Sequence, residues 1–274
     1  MNTETLIDEM KLRNFSEKTV KAYLYYNEIF LKFIDKSPKE VSGQDIKLYL
    51  LHLINRKKSS STVNLAHNAL AFYYGKILRK NLKNVPFQKR EQREREVPTQ
   101  DEIIKLLEVT RNLKHRLMIS LLYASGVRVS ELVNIKQNHV DFERRLLTIK
   151  QGKGNKDRIT ILSDLVIFEM KNYLNTRPYN SDYIFASHKG HITTRTVEEV
   201  INAARRKANI SKNITPHSLR HSFATHHMES GTRAEYIQKM LGHKDIRTTK
   251  IYERVSTKLL EEIKSPHDRM KVRV

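Results

Sequence analysis

Between Thr215 and Tyr252 the chain reads TPHSLRHSFATHHMESGTRAEYIQKMLGHKDIRTTKIY. His217 and Arg220 are three residues apart, so on a helix they share a face. His243 follows a Leu-Gly stop, and Tyr252 lies nine residues further on. Upstream, Gly126-Val127-Arg128-Val129-Ser130-Glu131-Leu132 adds a second arginine, and Gly152-Lys153-Gly154 adds a lysine. Imidazoles, guanidiniums, an ammonium and a phenol at these spacings are equipment for attacking a phosphodiester with a tyrosine and without a metal.

Displacing an alcohol from a phosphodiester makes three demands. The nonbridging oxygens must be neutralised, the nucleophile must lose a proton and the leaving oxygen must gain one. Metal enzymes meet the first demand with carboxylate-bound Mg²⁺, and no carboxylate cluster accompanies these motifs. Two arginines can replace the metal, because a planar guanidinium binds phosphate oxygens bidentately and stays charged. Arg128 and Arg220 are the candidates. Histidine carries protons near neutral pH, which suits His217 and His243. His221 is four residues from His217 and raises a metal-binding alternative. The zinc-protease pattern needs a glutamate directly after the first histidine, where Ser218 stands, and Arg220 repels a cation. His221, His226 and His227 read instead as packing or surface residues. Tyr252, one of twelve tyrosines, would be taken for a core residue if met alone. Lys153 in a turn would be taken for a solvated charge; its functional reading is a mobile general acid for the leaving 5′ oxygen.

The formal charge of +21 over 274 residues is spread over both halves of the chain. It points to a polyanion as partner, double-stranded DNA or RNA foremost, against the plainer reading of a solvated lysine-rich surface. With no cysteine there is no disulfide, no Cys-ligated zinc and no thiol nucleophile. No apolar run has the length of a membrane span, and the N-terminus MNTETLIDEM lacks a signal-peptide core. The expectation is a cytoplasmic protein with no membrane partner.

Elements must hold those groups in place. Ser16, Ser42 and the Ser59-Ser60-Ser61 run each open an amphipathic helical pattern. With a short helix near Thr5 to Leu12 they make a bundle of about four helices. Its aromatics read as core, and Lys18, Lys21, Lys57, Lys58 and Lys76 as exposed. Pro86 to Pro98 encloses the charged stretch QKREQREREV, which reads as an extended linker. Thr99 to Glu102 is a capping box that opens the next helix. Helical patterns follow over about 100–110, 114–124, 129–135, 164–175, 195–208, 216–229 and 233–241. Leu146 to Lys150 and Arg158 to Ile161 are short β-branched runs around a Gly-Lys-Gly-Asn-Lys turn, a hairpin signal. A last helix over 256–264 carries Leu259, Leu260 and Ile263 on one face.

The set GVRVSEL, GKGNKDR, PHSLRHSFATH and LGHKDIRTTKIY, in this order, resembles the tyrosine recombinase (phage integrase) family, the Xer-type site-specific recombinases most of all. The resemblance spans nearly the whole chain. It implies a mainly α fold with a small β-hairpin or sheet, in two domains. The first is a SAM-like helical bundle that binds core DNA, over 1–85. A charged linker over 86–98 leads to an α+β catalytic domain over 99–274 that ends in the docking helix 256–264. At the matching positions the resemblance implies Tyr252 as nucleophile and Arg128, Lys153, His217, Arg220 and His243 as the phosphate-activating set. Glu131 falls at the supporting acidic position. It implies a 3′-phosphotyrosine intermediate, conserved bond number, no metal and no cofactor. It also implies a double-stranded recombination site as substrate and a tetrameric synapse; the helix after Tyr252 resembles one that docks on a neighbour. A second recombinase or a DNA translocase is a further partner that the residues leave open. Resolution of chromosome or plasmid dimers, with its link to chromosome partition and cell division, stands beside integration of a mobile element. A type IB topoisomerase-like activity and a non-catalytic DNA-binding protein are the competing readings.

Overall fold

The computed structural model describes residues 1–82, 85–89, 97–150, 157–178, 180–188, 190–242 and 265–266. It separates into two compact units, Met1–Glu94 and Arg95–Val274.

The first unit is helical because polar caps and apolar stripes alternate along it. Asn2, Ser16, Ser42 and Ser59 each accept a hydrogen bond from the third backbone amide beyond them. They open α1 (Thr3–Leu12), α2 (Glu17–Ile34), α3 (Gly43–Asn55) and α4 (Ser60–Leu70). At Ser42 the box is closed by Asp45, whose carboxylate accepts from the Ser42 backbone amide at 2.7 Å. α4 runs on as a π-helical stretch over Ala71–Ile77. The core holds Leu6, Met10, Phe30, Ile46, Tyr49, Leu70 and Tyr74. Within it the Asn27 side-chain amide donates to the Tyr23 and Ala69 carbonyls, which ties α2 to the end of α4. The aromatics Phe30, Tyr49, Tyr73 and Tyr74 are thus packing residues, while Lys18, Lys21, Lys57, Lys58 and Lys76 are exposed.

The second unit is built around one helix. It opens with α5 (Gln100–Glu108), whose capping box joins Thr99 and Glu102. α6 (Leu113–Ser125) is buried continuously from Leu117 to Ser125. A helix apolar on all sides belongs inside a domain, and α6 is sheathed by α5, α8 (Asp164–Thr176), α9 (Thr194–Lys207) and α10 (Pro216–Glu229). Arg116 on α6 pairs with Glu169 on α8 at 2.7 Å, both nearly buried. After the short α7 (Val129–Leu132) and a 3₁₀ turn at Gln137–His139, three antiparallel strands form a sheet in the order β1 (Val140–Asp141), β2 (Leu146–Ile149), β3 (Arg158–Ile161). The register sets Leu147 opposite Thr160 and Ile149 opposite Arg158. A two-residue hairpin, β4 (Ala186–Ser187) with β5 (Gly190–His191), completes the strands among the described residues. Finally α11 (Ala234–Leu241) lies on β3 and α10 through Ile237, Met240, Leu241, Ile161 and Phe223. That small cluster places the C-terminal end of α11 beside the C-terminal end of α6.

Candidate active site

Both of those helix ends stop on a left-handed glycine, Gly126 after α6 and Gly242 after α11, with φ +61° and +64°. A side chain fits at neither position. A Cβ on Gly126 would sit 2.5 Å from Phe223 Cδ1, and one on Gly242 would sit 2.8 Å from Arg158 Cδ. The last carbonyls of a helix carry partial negative charge and lack intrahelical donors. Here buried guanidiniums meet them. Arg220 donates through Nη1 to the Gly126 carbonyl and through Nη2 to the Leu241 carbonyl, the latter at 2.6 Å. Arg158 donates from Nε to the Met240 carbonyl at 2.8 Å.

Arg128 comes two residues after Gly126 and stands at the N-cap of α7. Its backbone amide donates to Glu131 Oε2 at 2.7 Å, and its Nη1 donates to Oε1 at 2.8 Å. Arg158 grips the same carboxylate from behind, Nη1 to Oε1 at 2.7 Å and Nη2 to Oε2 at 2.6 Å. Arg158 and Glu131 are each 8 % exposed, whereas the Arg128 side chain is 28 % exposed. Arg128 and Glu131 also line a cleft of about 820 Å³ whose walls include Lys136, His139 and Lys150. Nearby, the Thr160 hydroxyl donates to the Ser125 carbonyl, so β3 is fixed to the end of α6 as well.

The electrostatics follow from this packing. Burial pushes the Glu131 carboxyl up, but hydrogen bonds from Arg158 and Arg128, with the Arg158 charge, outweigh it and hold the group down to about 2. Burial, and then the charges of Arg128 and Arg158, lower Arg220 to about 10, against the opposing pull of Glu131. At about 10, Arg220 is still charged at neutral pH, and it stands with the guanidiniums of Arg128 and Arg158 around a single carboxylate. The cluster has an excess of positive charge and is suited to an anion.

The structure brings together Arg128, Glu131 and Arg220. His217 shares α10 with Arg220, in its opening turns behind the Thr215 cap and Pro216. The two side chains nevertheless part company. Three residues on an α-helix leave about 60° between them, and the Arg220 guanidinium turns inward to the two carbonyls while His217 is exposed. Its Nε2 lies 3.1 Å from that of His221. His226 and His227 are buried, His226 with its Nδ1 3.0 Å from the Tyr123 hydroxyl. Lys153, His243, Tyr252 and the helix expected over 256–264 lie outside the described residues. Arg158 is the residue that the sequence reading passed over. A signal was present, since Arg158 and Thr160 alternate along β3 and so share one polar face of an otherwise apolar strand.

Comparison with known proteins bears on this cluster. Residues 87–258 match the family model described as the phage integrase family, and residues 3–84 match the phage integrase N-terminal SAM-like domain. Tyrosine recombinase XerA of Pyrococcus horikoshii is 34 % identical over 264 residues, covering 92 % of this chain and 88 % of the relative. A putative integrase/recombinase, y4qK, of Sinorhizobium fredii is 32 % identical, covering 97 % of this chain and 88 % of the relative. Among solved structures, the crystal structure of XerA recombinase aligns with TM-score 0.53 at 31 % identity, covering 95 % of each chain. A lambda integrase dimer bound to a COC′ core site aligns with TM-score 0.74 at 18 % identity, covering 89 % of this chain and 94 % of that one.

Proposed function

The chain belongs to the phage integrase family of tyrosine recombinases, and from that premise we propose how its own residues carry the reaction. The protein is a site-specific DNA recombinase. In our reading the scissile phosphate sits against Arg128 and Arg220, whose charges offset its nonbridging oxygens. Tyr252 attacks the phosphorus, leaving a 3′-phosphotyrosine and a free 5′ hydroxyl. Lys153 supplies the proton that the leaving 5′ oxygen takes up. His217 and His243 hold the phosphate and move protons to and from the phenol. A 5′ hydroxyl from the partner duplex then attacks the phosphotyrosine, so each broken phosphodiester is replaced by another and no ATP is consumed.

One observation supports this assignment most. Buried arginines are costly unless paired, yet this site keeps the buried Arg158 and Arg220 and the partly exposed Arg128 around one carboxylate, with Arg158 and Arg220 bound to the end of α11, which leads to His243 and Tyr252 in sequence. The arrangement makes sense if a phosphate completes it. We assign Lys153, His243 and Tyr252 their roles from their sequence motifs and from the family.

For the biological role we propose Xer-type resolution of chromosome or plasmid dimers by a tetramer on two DNA sites. Near-full-length similarity to XerA proteins supports this over integration of a mobile element, which the Sinorhizobium relative keeps as the second reading. The test is a duplex nicked close to the cleavage point, so that the 5′ fragment diffuses away and the covalent adduct is trapped. The parent protein should yield a protein–DNA adduct, and Tyr252→Phe should bind the site but yield none. An adduct of normal yield from Tyr252→Phe would remove that tyrosine from the mechanism.

A further inference from the structure

We propose that Arg158 is a positioning residue for strand cleavage: it divides the Glu131 carboxylate so that Arg128 stays free to face the phosphate, and it locks this unit to the end of α11. The proposal rests on the recombinase reading above and deepens it.

Arg158 is placed behind the site and not in it. All three guanidinium nitrogens of Arg158 are committed, Nε to the Met240 carbonyl and Nη1 and Nη2 to Glu131, while Arg128, 28 % exposed, stands in the wall of the cleft. Each oxygen of Glu131 is shared between the two arginines. Oε1 accepts Nη1 of Arg128 at 2.8 Å and Nη1 of Arg158 at 2.7 Å. Oε2 accepts the Arg128 backbone amide at 2.7 Å and Nη2 of Arg158 at 2.6 Å. This fork fixes the plane of the carboxylate, because a guanidinium presents parallel donors that match it. The positive charge of Arg158 also offsets part of the negative charge that Arg128 feels. With Arg158 gone, Glu131 is free to turn about its terminal bond and pair in full with the Arg128 guanidinium. Arg128 is then neutralised by a neighbour and withheld from the phosphate.

The third donor extends the lock. Nε of Arg158 holds the Met240 carbonyl at 2.8 Å, one residue before the Leu241 carbonyl that Arg220 holds at 2.6 Å. These are the last two residues of α11, and Gly242 and His243 follow in sequence. Gly242 accommodates the arrangement, since a Cβ there would meet Arg158 Cδ at 2.8 Å.

A plainer role is possible for the same contacts, namely anchoring β3 to α11, and the test must separate the two. Single-turnover adduct formation by the full chain is measured on nicked duplexes bearing either a phosphate or a methylphosphonate at the cleavage point. The methylphosphonate has no anionic oxygen for Arg128 to offset, so the ratio of the two rates reports the charge that Arg128 delivers. Arg128→Ala sets the low limit of that ratio. For Arg158→Gln we expect cleavage of the phosphate to slow by about 100-fold, with half-site binding retained, methylphosphonate cleavage nearly as in the parent, and the ratio moved toward that of Arg128→Ala. Arg158→Lys keeps the charge without the fork and should fall between. If Arg158→Gln slows both substrates by the same factor, its role is only to hold the fold and the proposal is overturned. Should Arg158→Gln fail to fold, by circular dichroism, the ratio for Arg158→Lys decides in the same way, and a parental value overturns it. Failure of the parent protein to form any adduct on the phosphate duplex would instead sink the recombinase reading beneath it.

Discussion

Glu131 links the stability of the catalytic unit to pH in a way that can be worked out. Its carboxyl is held down to about 2 in the folded protein, where burial opposes the charge but the hydrogen bonds and charge of Arg158, with those of Arg128, prevail. In an unfolded chain a glutamate titrates near ~4.3. A depressed carboxylate stabilises the fold above its unfolded value, and the stabilisation fades as pH falls toward the folded one. A gap of roughly 2.3 units corresponds to about 3 kcal/mol at pH 7. By linkage about 0.6 kcal/mol of it is lost at pH 4 and about 1.7 kcal/mol at pH 3. Glu131→Gln removes the charge and presents an amide N–H to arginine donors, so it should cost about 3 kcal/mol at pH 7, in line with breaking a buried pair from one side. The pH dependence distinguishes this from a packing defect. Urea unfolding followed by circular dichroism at pH 7, 5, 4 and 3 should show the gap between parent and Glu131→Gln narrowing on that schedule. A gap constant to within about 0.3 kcal/mol down to pH 3 would mean that Glu131 is not held as a buried, arginine-paired anion, and the charge reasoning for the site would fall with it.

Other perturbations reach different parts of the reasoning. Gly126→Ala combines a left-handed backbone with a Cβ 2.5 Å from the buried Phe223 ring, and should cost roughly 2–4 kcal/mol; parental thermal stability would contradict the packing described. Lys153→Ala should cleave slowly on ordinary DNA and recover on a substrate with sulfur at the 5′ bridging position, which needs little protonation; equal defects on both would move the acid role to His217. Truncation after Ser256 should leave single half-site binding largely intact while weakening cooperative filling of the full site and abolishing strand exchange. Cooperative filling and recombination at the parental rate would show that residues 256–264 do not join subunits.

The helices were legible because their ends are written in short-range chemistry. Ser16, Ser42, Ser59, Thr99 and Thr215 each cap where a polar residue precedes an apolar stripe, and a cap needs only its third neighbour. The β2–β3 pair was legible from β-branched runs on either side of a glycine-rich turn. Strands β1, β4 and β5 were not, since two residues cannot show a period and the partner alone defines them. The π-helical stretch after α4 likewise has no pattern of its own that sets it apart from plain helix. At the site, Arg128, Glu131 and Arg220 stand out by motif. Arg158 does not, because its role appears only when residues 131, 158 and 240, from three separate segments, meet. His217 marks the same limit from the other side. Spacing put it on a face with Arg220, but the long guanidinium reaches inward to carbonyls that no local pattern names.

The charge balance of the cluster says why it must be completed by an anion of a particular charge. One of the three guanidinium charges is cancelled by Glu131. The ends of α6 and α11 each present about half an elementary negative charge, and these together offset roughly one more. What remains is about a single positive charge, which a phosphodiester in its ground state would neutralise. In the transition state for attack by a phenolate the oxygens around the phosphorus carry additional negative charge, and the described arginines have nothing left to offset it. That additional charge is where an interaction lowers the barrier and does not merely bind substrate. It must come from groups outside this arginine cluster. Lys153, His217 and His243 are the cations and proton donors in the sequence motifs that can supply it. The division has a consequence for mutants: loss of Arg158 or Glu131 should be felt in folding and in cleavage together, whereas loss of Lys153 or His243 should slow the chemistry and leave the stability of the catalytic unit unchanged.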